Sequence, residues 1–418
     1  MKILVLNAGS SSQKSCLYEF KALTLAAPSR PLWEAEIDWT HHQAEADLKV
    51  ATAYGASLEE TLKSESRSDA TGHMLRTLWS GKTKIITAPS DIDVVGHRVV
   101  HGGPEFEQST FVTAEVKEAI ARLAELAPAH NPASLEGIVA TEQIFGAVPQ
   151  VAVFDTAFHA QMPVVAAIYP GPYEWWEQEI RRYGFHGISH QYCTARAAEI
   201  LGRDMKELRL VTCHLGNGCS LAAVRGGRSV NTTMGFTPLA GLMMGSRSGS
   251  VDPGVLLHLL RLPNYTVDEL DRVLNQKSGL EGISGLSSDM RDILAAMAKG
   301  NPRAQLAFDT YVHSLRSHIG AMIASLGGLD ALVFTAGVGE HAAPVRAAAC
   351  EAFAFLGLKL DLQKNAQSRL HWDIAAADST VRVLVIHTEE DWEIARECWK
   401  LVHGALGASS SNPATRSI

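Results

Sequence analysis

The chain has little of what export, membrane insertion or nucleic-acid binding would require. Among its 418 residues, 37 Lys and Arg face 45 Asp and Glu, for a formal net charge of -8. No dense Lys/Arg run relieves that acidic balance, which argues against a nucleic-acid partner, because such a partner demands a basic face. Only six cysteines occur, Cys16, Cys193, Cys213, Cys219, Cys350 and Cys398. None forms a C-x-x-C pair, so the spacing suits neither a zinc knuckle nor a disulfide scaffold and predicts reduced thiols. No segment approaches the length needed to cross a bilayer. Met1 to Leu6 offers one lysine and a four-residue apolar run, far short of a signal-peptide core. These absences predict a cytoplasmic protein without membrane or nucleic-acid partners. Common motifs are missing as well: no G-x-G-x-x-G opens a dinucleotide fold, and there is no H-E-x-x-H. Ser80-Gly81-Lys82-Thr83 carries the tail of a Walker loop, but Arg76 stands at the leading glycine position, so the match is read as a decoy.

What is present describes an α/β protein. A hydrophobic fraction of 46% with 20% charged residues is that of a globular chain, and the length predicts two domains. Short β-branched or apolar runs alternate with helical patterns. Strands are expected at 3–6, 94–98, 151–154, 208–214, 331–335 and 381–386. Helices are expected at 114–126, 190–201, 267–274, 304–326, 344–355 and 392–402. Thr266 with Glu269 predicts a capping box. Residues 26–68, including His41-His42, show weak periodicity and read as a peripheral insertion with solvated histidines. A domain boundary is expected near residue 155, no internal repeat is visible, and 407–418 reads as a frayed end.

Four segments run from an apolar strand into a turn of Gly, Asn and Ser: Ile3 to Ser12, Val211 to Gly218, Met244 to Gly249, and Phe334 to Glu340. Glycine lets backbone approach a ligand, and exposed amides and hydroxyls donate to phosphate oxygens. One such loop is ordinary; four in one chain point to phosphate. Charged residues punctuate other loops: Gly96 to Gly103 and Tyr183 to Gly187 set an arginine and histidines beside glycine, Phe154 to His159 places a carboxylate just after a strand, and Ala129 to Pro132 offers a His at a helix start. Function concentrates in such loops. Phosphoryl transfer needs this inventory of cations, metal-holding carboxylates and aligning groups.

The same motifs resemble the acetate kinase (acetokinase) family, within the acetate and sugar kinase, Hsp70 and actin superfamily. They are Leu6 to Ser12 with Lys14, Gly96 to Gly103, His130-Asn131-Pro132, Val153 to His159, Tyr183 to His190, His214 to Gly218, Met234 to Pro253, Ser278 to Asp292, and Thr335 to Arg346. They span residues 3 to about 395 in the family's order. The resemblance implies two ribonuclease-H-like (actin-like ATPase) domains with an active-site cleft between them. One would comprise 1–155 plus 389–418; the other, 156–388, would carry nucleotide binding and dimerisation in a homodimer. It implies reversible, direct in-line transfer between ATP and acetate, giving acetyl phosphate and ADP, with Mg²⁺ or Mn²⁺. Asn7 and Glu390 would be the metal-associated residues. Ser10, Ser12 and Lys14 would form a first phosphate loop, and His214, Leu215, Gly216, Asn217 and Gly218 a second. Arg98 would bind the carboxylate, with Val100, Phe185 and Pro238 lining the pocket for its alkyl end. Asp155 would be the catalytic carboxylate, and His186 and Arg247 would stabilise the moving phosphoryl with support from His130. Asp289, Met290 and Arg291 with Gly337, Val338, Gly339, Glu340 and His341 would form the adenosine side. A nucleotide-driven switch has no need of Arg98, Asp155, His186 and Arg247, so that set favours an enzyme.

Four positions depart from the family pattern: Gln13 for Leu, Ala129 for a larger apolar residue, Glu389 for Asn, and His341 for Asn. Ala129 implies either a roomier pocket that tolerates propionate or a space refilled by a neighbour. Glu389 either tunes the metal or faces solvent.

Overall fold

The structure, a computed structural model, describes residues 1–9, 12–21, 28–39, 45–63, 66–128, 130–367 and 369–410, with backbone alone over 405–410. Ser10, Ala129 and His41-His42 therefore lie outside the described residues. The chain divides into two compact units, Met1–Ala157 with Glu389–Ile418, and Phe158–Thr388.

The first unit is built on an eight-stranded sheet. Its strands are β1 (Lys2–Ala8), β2 (Ser12–Glu19), β3 (Trp33–Asp38), β4 (Glu45–Thr52), β5 (Ser57–Lys63), β6 (Val94–Val99), β7 (Thr110–Phe111) and β8 (Gln150–Phe154), in the order β5-β4-β3-β2-β1-β6-β8-β7. The central strands β1, β6 and β8 are parallel. β1 and β8 read as near-continuous apolar runs because both faces are covered, whereas β6 carries His97 and Arg98 toward its carboxyl end. On one side β2 to β5 continue as an antiparallel meander.

Residues 26–68 are thus no peripheral insertion. Trp33, Ala35 and Ile37 alternate with polar residues on β3, and Ala46, Leu48 and Val50 do so on β4; all six are buried in one core with Met74 and Leu75 of the Arg67–Arg76 helix. The period-2 pattern is present, but with a charged residue at alternate positions the stretch reads as weakly hydrophobic overall. The C-terminal helix, Glu390–Ser410, returns to this unit and runs longer at both ends than expected. Trp392 stacks on Phe20 at 4.7 Å and meets Tyr18 edge-on at 5.3 Å. Gly96 on β6 makes the fit possible, because a Cβ there would lie 2.5 Å from Cys398 Sγ and 2.8 Å from Ile394 Cγ2.

The second unit repeats the plan. Its strands β9 (Arg209–Leu215), β10 (Cys219–Arg225), β11 (Arg228–Thr232), β12 (Ala331–Thr335), β13 (Trp372–Asp373) and β14 (Arg382–Val385) are ordered β11-β10-β9-β12-β14-β13. Here β9, β12 and β14 form the parallel centre, flanked by the antiparallel β10 and β11. The internal repeat that is invisible in the residues is therefore present in the topology. Hydrogen-bond ladders need backbone and a pattern of burial, not particular side chains, so the plan outlives sequence similarity.

Two local expectations are adjusted. Thr266 caps the Val267–Gln276 helix by accepting from Glu269 N at 3.1 Å. The Glu269 carboxylate turns instead to Arg272, so half the capping box forms. Ser80 to Thr83 follows a helix, not a strand, and so lacks the setting of a phosphate loop. None of the six cysteines forms a disulfide, and all are buried.

Candidate active site

In the first unit the site residues sit at the carboxyl ends of the parallel strands, where side chains project beyond the ladder. Asn7 is next to last on β1, Arg98 next to last on β6, and Asp155 directly follows β8. Arg98 Nη2 donates to Asp155 Oδ2 at 2.8 Å, and the side chains are only 15% and 1% exposed. Nη1 reaches Asn7 Oδ1 at 3.5 Å, while the buried Nε has no hydrogen-bond partner among the described residues. Burial opposes the Arg98 charge, but Asp155 and Glu390 outweigh it and hold the guanidinium pKa above its ordinary value. Glu390 opens the C-terminal helix. Burial pushes its carboxyl pKa up; Arg98 and Asn7 work against this, and Asp155 and Asp391 add to it.

Two neighbours escaped the sequence reading. Asp391 accepts from Asn7 Nδ2 at 2.8 Å and from Cys16 Sγ at 3.6 Å, so it fixes which way the Asn7 amide faces. No motif signals this, because Cys16 and Asp391 are brought together only by the returning helix. Asn131 clamps the turn after β6, donating to the His101 carbonyl and accepting from the His101 amide, both at 3.1 Å. His130 precedes it as the N-cap residue of the Asn131–Phe145 helix. Val100 is buried. Lys14 is exposed on β2 across from Asn7 rather than on a loop. Ser12 begins that strand, its carbonyl accepting from Gly9 N at 2.8 Å.

Magnesium prefers oxygen ligands and keeps several waters. No group of three His, Cys, Asp or Glu capable of holding a metal occurs among the described residues. Asn7 with the crowded carboxylates fits a hydrated cation completed by phosphate oxygens, and the raised Glu390 pKa marks a site where added positive charge would relieve repulsion.

In the second unit, His186 is the N-cap residue of the Gly187–Leu201 helix and holds a left-handed φ of 56°. Such backbone in a residue with a Cβ costs about 1–3 kcal/mol and clusters at functional sites. Its ring stacks on His214 at 4.0 Å, and His214 Nδ1 is hydrogen-bonded to Ser189 Oγ at 2.8 Å. A Cβ on Gly218 would stand 3.3 Å from Arg247 Nη1 and 3.6 Å from His186 Nε2. The glycine therefore leaves open a point that the Arg247 guanidinium and the His186 ring flank. Burial lowers the Arg247 pKa, with Cys219 opposing. Arg247 Nη1 also donates to the Pro238 carbonyl at 3.4 Å. Phe185 is buried, and its carbonyl is hydrogen-bonded to His159 Nε2 at 3.1 Å.

The loop carrying Arg247 rests on Gly279, whose φ is +62° and whose Cβ would run into the carbonyl oxygens of Met244, Gly245 and Arg247. Gly279→Ala should lower stability by roughly 1–3 kcal/mol and displace Arg247. Thermal unfolding and kcat of the variant check this, and both should fall.

A cavity of about 580 Å³ lies in this unit, lined by Gly216, Asn217, Asp289, Met290, Arg291, Gly337, Val338 and His341, together with Ser288, Leu294 and Ala342. Two motifs far apart in sequence thus meet the Gly216-Asn217 turn after β9 at one concavity. Leu215 is buried at the end of β9, and Gly339 is buried on the 336–341 helix. Glu340 is turned inward: its carboxylate accepts from Ala336 N at 2.9 Å and from Thr388 N at 3.3 Å, with His387 Nδ1 at 2.8 Å. Arg346, fully buried, donates to the carbonyls of Gly339 and Glu340 at 2.9 and 2.7 Å. Both residues brace the loop from below.

The chain as a whole is similar to known proteins. A family profile described as the Acetokinase family matches residues 2–396. A protein named acetate kinase from Nostoc punctiforme is 64% identical, covering 96% of this chain and 100% of its own. Another from Cyanothece sp. is 62% identical, covering 96% and 98%. Among solved structures, Porphyromonas gingivalis acetate kinase superposes with a TM-score of 0.88 at 39% identity over 96% of this chain and 99% of its own. A propionate kinase from Francisella tularensis gives 0.85 at 38% identity over 95% and 98%.

Proposed function

The chain belongs to the acetokinase family, and from that premise we propose how its residues divide the transfer of a phosphoryl group between ATP and acetate. The fold is the two-domain actin-like α/β ATPase type, and ATP is the co-substrate. Everything finer is our reading. Support for the acid's place comes chiefly from Arg98: a desolvated guanidinium anchored on Asp155, with a buried Nε still able to donate. A carboxylate is the natural acceptor for that donor, since the guanidinium fork matches its two oxygens.

Transfer needs no enzyme nucleophile. An acetate oxygen attacks the γ-phosphorus, the new O–P bond forms as the bond to ADP breaks, and the electron pair leaves with the ADP oxygen. Acetate is already ionised, so Asp155 orients Arg98 and substrate rather than taking a proton. Arg247 neutralises the equatorial oxygens as charge redistributes, and His186 donates a hydrogen bond to them. Asn7 and Glu390 would hold Mg²⁺, or Mn²⁺, whose charge would supply further neutralisation of the phosphates. Ser10, Ser12 and Lys14 are assigned to phosphate, and the cavity lined by Asp289, Arg291, Gly337 and His341 to adenosine.

The second unit is also assigned dimerisation. The Pro253–Leu260 helix buries none of its residues and exposes Val255, Leu257 and Leu260, a surface suited to a second copy. No described helix is long and apolar enough to cross a membrane, and the cytoplasm is the compartment we assign. Propionate is proposed as a second acid on the strength of Ala129.

Trapping acyl phosphate with hydroxylamine, acid by acid, tests these assignments. Hydroxamate should form with acetate first and propionate second, only with ATP present. A preference for acetate beyond about a hundredfold removes propionate, and silence with every acid overturns the carboxylate assignment.

A further inference from the structure

We propose that Thr212, His190 and Ser220 form a one-way hydrogen-bond relay that fixes the tautomer of His186, which makes Ser220 a positioning residue for phosphoryl transfer. This rests on the role of His186 given above.

The geometry is continuous. Thr212 Oγ1 lies 2.7 Å from His190 Nδ1, His190 Nε2 lies 2.8 Å from Ser220 Oγ, and Ser220 Oγ lies 2.9 Å from His186 Nδ1. Local structure assembles it. His186 and His190 are one helical turn apart, so their side chains share a face. Ser220 pairs across the β9–β10 ladder with His214, and Thr212 stands two residues from His214 on β9, so all three project from the same side of the sheet. Thr212, His190 and Ser220 are each 0% exposed.

The proton count sets the direction. A neutral imidazole has one N–H and one bare nitrogen, and a hydroxyl donates once. Burial, then His159 and His214, hold the His190 pKa well below its ordinary value, so this ring is neutral. Among the described residues the Thr212 hydroxyl has no other hydrogen bond. It therefore donates to His190 Nδ1. His190 then carries its proton on Nε2 and gives it to Ser220, whose own proton goes to His186 Nδ1. The remaining proton of His186 sits on Nε2, the atom beside the open point over Gly218 and Arg247. His186 thus presents a donor to phosphoryl oxygens. Running the relay backwards would leave a bare nitrogen there and strand the Thr212 proton in a dry interior, at the cost of an unsatisfied buried donor. Titratable groups near His186 include His190 through Ser220, His214 stacked on its face, and Arg247 across Gly218.

The test uses the full-length enzyme. Ser220→Ala should lower kcat about 10–100-fold, as loss of a group that orients a functional histidine does, with the KM for ATP nearly unchanged. Thr212→Val, close in shape and one histidine further from His186, should act in the same direction with a smaller loss. In both variants ¹⁵N spectra of labelled histidine should show His186 shifting from a single Nε2–H tautomer to a mixture, and the pH–rate profile should move. Wild-type tautomer, profile and rate in both variants overturn the relay. His186→Gln separates the two levels. If it keeps full activity, the role of His186 itself fails; if it is inactive while both relay variants behave as wild type, only the relay fails.

Discussion

Replacing Arg247 with leucine should lower kcat by about a thousandfold while moving the KM for ATP by less than about threefold. Such a drop equals about 4 kcal/mol of transition-state stabilisation, within the range of an arginine that meets charge developing on a phosphoryl group. The split between the constants follows from the geometry. Arg247 Nη1 and His186 Nε2 flank the point above Gly218, whereas the Gly337 and Asp289 segments line the cavity assigned to adenosine. An interaction realised only as charge redistributes lowers kcat and leaves ground-state binding alone. Stability should hardly change, because burial already disfavours the Arg247 charge, unlike the loss expected from Gly279→Ala. Steady-state kinetics decide the matter; unchanged kcat refutes the assignment.

Arg98→Leu should have the largest effect on stability, about 3–5 kcal/mol, because Asp155 would remain buried without its cation. The deficit should depend on pH in a defined sense. Glu390 has a folded pKa raised above the ordinary 4.5 even with Arg98 opposing the rise. A carboxyl whose folded pKa is raised binds its proton more tightly in the folded state, so its contribution to stability falls as pH rises above the unfolded value. Removing Arg98 raises the folded pKa further and extends that fall to higher pH. The gap in Tm between wild type and variant should therefore be wider near pH 8 than near pH 5. Arg98→Lys should recover much of the stability but not the binding of acetate, since a point charge lacks the planar fork. Melting curves at several pH values, with the KM for acetate, test both statements. A pH-independent gap would remove the electrostatic account.

Much of this was readable in advance for physical reasons. Buried parallel strands such as Ile3 to Leu6 and Val151 to Phe154 must be apolar on both faces, so they stand out. β3 and β4 were missed because their apolar residues alternate with Glu, Asp and Lys, and a half-buried strand has modest average hydrophobicity. Loop motifs announced Arg98, His186 and Arg247, because glycine beside a basic residue is locally unusual, and Asp155 stood out as a carboxylate directly after an apolar strand. Asp391, Cys16 and Ser220 gave no such signal. Each is an ordinary residue in an ordinary helix or strand, and its partners lie elsewhere in the chain.

Chemical identity was therefore fixed by the order of residues alone: which groups carry charge, and which turns expose amides to phosphate. Folding decided which way those groups point. The face of the Asn7 amide, the inward carboxylate of Glu340 and the tautomer of His186 are set by hydrogen bonds to residues brought close only when helices return to their sheets. A hydrogen bond is specific in direction and distance, and neither is encoded in any one stretch of chain.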